Sequence, residues 1–95
     1  MKTVVIAALA AASLMAGSVA YASPADKANA AGCMKCHDVE KKKMASSFKD
    51  ISAKNKGNAG YVDAAVKKIS TGAGHPKATA SEADLKEIMV WIVAM

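Results

Sequence analysis

Arginine is missing from this sequence: all 13 basic residues are lysines. Lysine offers point charges rather than the planar fork that reads phosphates and base edges. No aromatic residues are interleaved with the lysines either, so the chain lacks the pattern of a nucleic-acid binder. Aromatic residues make up only 4% of it, and beyond residue 22 they are Phe48, Tyr61 and Trp91. In a chain of 95 residues so few large side chains do not make a self-sufficient core. Cysteine is scarce too. Cys33 and Cys36 are the only pair, and a disulfide between them would close a tiny loop that restrains the unfolded chain little. No stretch alternates apolar and polar residues, which excludes strands. What is left is a small all-α domain that needs something large and apolar to fill its middle.

A single long apolar run is present, from Val4 to Ala16. It is too short to span a bilayer comfortably, which takes about 20 apolar residues. Lys2 precedes it and Ala20-Tyr21-Ala22 follows as a small-x-small site before Ser23, so residues 1–22 read as a cleaved export signal. Residues 23–95 are then the mature domain, with no segment suited to stable membrane insertion. Loss of Lys2 takes the formal net charge from +5 to +4. Lys41-Lys42-Lys43 is the one charge run, readable as a solvated face or as part of a docking surface for an acidic protein.

Four helices are expected along residues 23–95. Ser23 caps the first, with Pro24 at its first position and a body over residues 25–31. Residues 39–44 are charged and looped. A short helix over residues 47–55 buries Phe48 and Ile51 and stops at Gly57. The third places Val62, Ala65, Val66 and Ile69 on one face and ends at Gly72. Residues 72–79 form a loop containing Gly74, His75 and Pro76. Ser81 caps the last helix, with Asp84 three residues on as a capping-box variant, and Leu85, Ile88, Met89 and Ile92 form its inner stripe.

Cys33-Met34-Lys35-Cys36-His37 is C-x-x-C-H, the pattern by which haem is attached covalently. Two thiols separated by two residues can each add to one of the porphyrin's adjacent vinyl groups. A histidine directly after the second thioether is carried under the ring, where its imidazole meets the iron. Three other chemistries use similar residues. A redox-active disulfide belongs at a helix start in a βαβ setting, and no strand is visible here. A zinc site wants four ligands, and the cysteines and histidines are not spaced as in a finger. Soft Cu(I) could take Cys33, Cys36, Met34 and Met44. Export, small size and an all-helical pattern favour one covalent haem c over these.

With those residues in view the chain resembles the small bacterial class I cytochromes c, over nearly all of residues 23–95. Gly32-Cys33 through His37 resembles their haem-binding turn. Lys43-Met44, Phe48 to Lys54 and Gly57 resemble the segment that follows. Ser81-Glu82-Ala83-Asp84 and Trp91 resemble the start and end of the C-terminal helix. The resemblance implies a four-helix fold wrapped around one haem. Its first and last helices would cross closely where Ala28, Ala31 and Gly32 are small. Two departures stand out. Where the family presents a methionine followed by proline as the second axial ligand, this chain has His75-Pro76, after a shorter loop. Ser46-Ser47 replaces the Gly-Pro whose proline carbonyl holds the proximal imidazole, which leaves the Ser47 carbonyl to do so.

The expected iron ligands are therefore His37 and His75, with Met44 as the alternative to His75. An imidazole in place of a thioether stabilises Fe(III) and lowers the potential. The function this implies is single-electron transfer between periplasmic redox proteins by a low-potential carrier that is not an enzyme. Lys35, Lys77 and residues 41–43 would steer an acidic partner. The other function in play is a haem-based sensor or small-ligand-binding protein with a displaceable sixth ligand. The sequence leaves the oligomeric state, the donor and the acceptor unassigned.

Overall fold

Serine begins three of the four helices described for residues 23–95 in the computed structural model; the expected export signal, residues 1–22, lies outside the described residues. Helix α1 runs Pro24–Ala30. The Ser23 hydroxyl accepts the Asp26 amide at 3.2 Å and the Asp26 carboxylate accepts the Ser23 amide, a full capping box. Helix α2 is Phe48–Asn55, capped by the Ser47 hydroxyl on the Asp50 amide at 3.1 Å. Helix α3 is Tyr61–Thr71. It ends at Gly72, whose φ of +76° lets its amide reach back to the Lys68 carbonyl at 2.9 Å. Helix α4 is Glu82–Val93, with the Ser81 hydroxyl accepting the Asp84 amide at 3.2 Å.

These bounds follow the periodicity closely, with two differences. The first helix ends one residue early, because Ala31 is its cap and Gly32, at φ +86°, turns the chain into a 3₁₀ turn over Cys33–Lys35. The capping box expected at Ser81 is half made. Asp84 turns its carboxylate away to the Lys27 ammonium of α1, 3.1 Å off, where a full charge attracts it more strongly than an amide does.

Helix α4 is the hub, packed against α1, α2 and α3. Its stripe of Leu85, Ile88, Met89 and Ile92 is buried as expected. Ala28 is fully buried between α1 and α4, where a larger side chain would hold the helices apart. Lys27 pins the same crossing through Asp84 and Glu87. On the other side, buried Ser52 donates to the Val93 carbonyl at 3.1 Å and ties α2 to the end of α4. Phe48 is buried as read from the sequence, but Ile51 is only half-buried, as is Ile69. Both pack against the core on one side and line a large cavity on the other.

Candidate haem site

That cavity, about 580 Å³, lies between the turn at Cys33, the three longer helices and the loop before α4. Cys33, Cys36, His37 and His75 all line it, so the four residues singled out by spacing and position converge. Lys68 and Lys77 are the charged side chains on its wall, with no carboxylate beside them. The remaining lining is largely apolar. Met44 stands on the rim, 80% exposed.

The turn that presents the motif is wound by its own backbone. The Cys33 carbonyl accepts the amides of Cys36 and His37 at 3.3 and 3.0 Å. Next in the chain, the carbonyls of Asp38 and Val39 accept the Phe48 and Lys49 amides, which the start of α2 would otherwise leave unpaired. The Ala45 amide returns to the Cys36 carbonyl at 2.9 Å. Through these bonds α2 fixes the height of His37. Its ring stacks on Phe48, with centroids 5.3 Å apart and planes 27° from parallel.

His37 Nδ1 lies 2.6 Å from a carbonyl, but that of Ser46, not Ser47. The reason is local: Ser47 is the α2 cap, and its carbonyl already accepts the Ile51 amide at 3.0 Å. His75 Nδ1 lies 2.7 Å from the Pro76 carbonyl. A carbonyl only accepts, so each Nδ1 is the donor, and Nε2 is the ring nitrogen left to bind a metal. The two rings stand 6.2 Å apart between centroids, with planes 6° from parallel. Imidazole nitrogens bind first-row metals at about 2.0 Å, which puts two such rings on opposite sides of one ion about 6.3 Å apart. The observed centroid separation matches that spacing. Among the described residues no three of His, Cys, Asp or Glu gather into a set that could hold a bare ion.

The two cysteines are not joined to each other, and both are half-buried at the cavity edge. Burial pushes the Cys33 thiol up, against a smaller lowering by its own backbone. A redox-active cysteine needs the opposite shift. Lys35 is exposed outside the cavity, whereas Lys77 reaches its wall. Lys43 is drawn back onto the turn, its ammonium 3.1 Å from the Met34 carbonyl. Tyr61 and Lys68 were not among the site residues read from the sequence, yet both line the cavity. Their signal was available: Tyr61 and Lys68 share the α3 face of Ala65, at offsets 0, 4 and 7.

No family model matches the chain. Individual proteins do. Cytochrome c-552 of Nitrosomonas europaea is 34% identical over 103 positions, covering 100% of this chain and 99% of its own. Cytochrome c2 of Rubrivivax gelatinosus is 33% identical over 82 residues, 76% of this chain and 96% of the relative. Cytochrome c-551 of Azotobacter vinelandii is 33% identical over 69 residues, 65% and 84% of the two chains. In fold, the chain is similar to the class 1 cytochrome MtoD from Sideroxydans lithotrophicus ES-1, with a TM-score of 0.63 and 23% identity over 75% of this chain and 90% of that one. Relatives matched over most of their length, the C-x-x-C-H turn and a cavity bounded by two facing imidazoles agree: the chain belongs to the class I cytochromes c, electron carriers with one covalent haem c.

Proposed function

We propose that this chain is an exported, low-potential electron carrier in which Cys33 and Cys36 form the haem thioethers and His37 and His75 are the axial ligands. The facing imidazole pair carries this reading, with Nε2 the open nitrogen on both rings and centroids 6.2 Å apart. The bound group supplies one-electron chemistry at its iron. The chain does the rest. The Ser46 carbonyl orients the His37 ring through Nδ1. Ile51, Leu85, Ile88 and Ile92 keep water from the cavity wall. Lys68, Lys77 and Tyr61 offer polar ends suited to the group's carboxylates, and burial holds the Tyr61 hydroxyl protonated to higher pH.

The expected compartment is the periplasm, from the export signal of residues 1–22, and no helix among the described residues is long and apolar enough to cross a membrane. Partners would be redox proteins with an acidic surface, since lysines and no carboxylates line the cavity. The test is the optical spectrum of the purified ferric protein carried into the near infrared. A low-spin haem without a methionine-to-iron band supports the His37–His75 pair. A methionine band would move the sixth ligand to a residue such as Met44, and a high-spin spectrum would leave that position open.

One observation favours a displaceable sixth ligand. His37 is held by a carbonyl outside its turn, but His75 is held by its own neighbour, on a loop flexed at Gly72 and Gly74. Carbon monoxide binding to the reduced protein at a measurable rate would support the sensor class; no binding would leave the carrier alone.

A further inference from the structure

Trp91 is the one aromatic side chain among the described residues 23–95 that does not line the cavity. It is nevertheless joined to it. Its ring meets Phe48 edge-on, with centroids 5.8 Å apart and planes at 77°. Phe48 in turn stacks on His37 at 5.3 Å. Both separations fall in the range of aromatic rings in contact, so no gap interrupts the series. Phe48 is buried, only 2% exposed, which keeps the middle of the series dry. Trp91 is half-buried on α4, so its ring belongs to the core on one side and to the surface on the other. The lysine-lined cavity is the obvious place for electrons to cross, and this series leads elsewhere.

We propose that Trp91 is a relay residue, electronically coupled to the haem through Phe48 and His37, and that it gives the haem a second outlet on the face shared by α2 and α4. The proposal rests on the reading of His37 as an iron ligand. With mild redox partners the indole serves as a bridge and is not itself oxidised. Each ring-to-ring contact here is a short through-space step, and coupling falls off less across rings in van der Waals contact than across the wider gaps left between less closely packed groups.

Trp91 is the sole tryptophan in the sequence, so an indole radical formed in this protein belongs to one site. The test is pulse radiolysis of the reduced, haem-loaded protein with azide radicals. Each azide radical takes one electron from Trp91 and becomes azide, and the indole gives its N–H proton to water. One electron then returns to Trp91 from the reduced haem, the indole regains a proton, and the haem is left oxidised by one electron. The expected result is radical decay and haem oxidation at one shared first-order rate, independent of protein concentration. Phe48→Leu and Phe48→Met should each slow it roughly tenfold, since an aliphatic chain leaves a gap where ring atoms touched. Phe48→Tyr should preserve it, and Trp91→Phe should remove the radical signal.

A rate that rises with protein concentration, or one that either aliphatic variant leaves unchanged, would overturn the relay. The wild-type concentration dependence can overturn the relay even if a variant fails to take haem. The static spectrum separates the two readings. Loss of bis-imidazole ligation in the wild type counts against the ligand assignment, while an intact spectrum with an unaltered Phe48→Leu rate counts against the relay alone.

Discussion

At the scale of single residues the site divides into side chains fixed by local spacing and those fixed by the fold. Cys33, Cys36 and His37 were legible because a turn of five residues determines their relation. His75 was legible only through its position before Pro76 and Ser81. The carbonyl on His37 was read one residue late, since two adjacent serines look alike until the α2 cap claims one of them. If His75 is the sixth ligand, His75→Met should raise the reduction potential, by on the order of 0.1 V within the roughly 0.8 V that axial ligands span. Redox titration beside the near-infrared spectrum checks both the shift and the new methionine band. Met44→Leu is the matching control: with Met44 80% exposed, it should leave the ferric spectrum unchanged. An altered spectrum in that variant would transfer the role to the sulfur.

Between elements, two of the three serine caps were plain in the sequence and the long-range pairings were not. Ser23 and Ser81 each announce a helix from within three residues, whereas Ser47 read as the first residue of α2 and proves to be its cap. The partner of Asp84 lies 57 residues away, and nothing local distinguishes Lys27 from the other lysines. Lys27 holds its proton more tightly than a free lysine, first through the bond to Glu87 and then through Asp84. Its folded pKa therefore lies above the ordinary 10.5, and the stability it adds is complete below that value and lost as pH rises through the folded pKa. Melting curves of wild type and Lys27→Met should differ at neutral pH and converge in strong alkali; a constant difference would mean that packing of the lysine stem, not its charge, clips α1 to α4. A second element-scale case is the end of α3. A Cβ at Gly72 would meet the Lys77 Cβ at an ordinary 3.5 Å, so space is available and the backbone is the obstacle. Gly72→Ala should cost about 1–2 kcal/mol in denaturant titrations, the penalty for an L-residue in the left-handed region.

The whole molecule is organised around what its helices do not fill. Among the described residues the buried hydrophobics are seven, two of them alanines, and Leu85, Ile88, Met89 and Ile92 border the cavity as well as one another. The need for a filler was legible in composition, whereas the position of the void was not, because Ile51 and Ile69 give the same periodic signal whether they face a helix or a ligand. A domain of this size is marginal even with an intact core. The helices are also short, from 7 to 12 residues, below the length at which isolated helices hold in water. Without haem, α4 would keep its contacts with α1 through Ala28 and Lys27, but α2 and α3 would face each other across an empty apolar space. Such a space is either flooded, exposing apolar side chains to water, or closed by a collapse that the backbone bonds around Phe48 oppose. The Cys33→Ala/Cys36→Ala chain, purified free of haem, should therefore lose most of its far-ultraviolet helical signal and show no cooperative thermal transition. Retained helicity with a sharp transition would mean that the helices fold first and the cavity is preformed for its ligand.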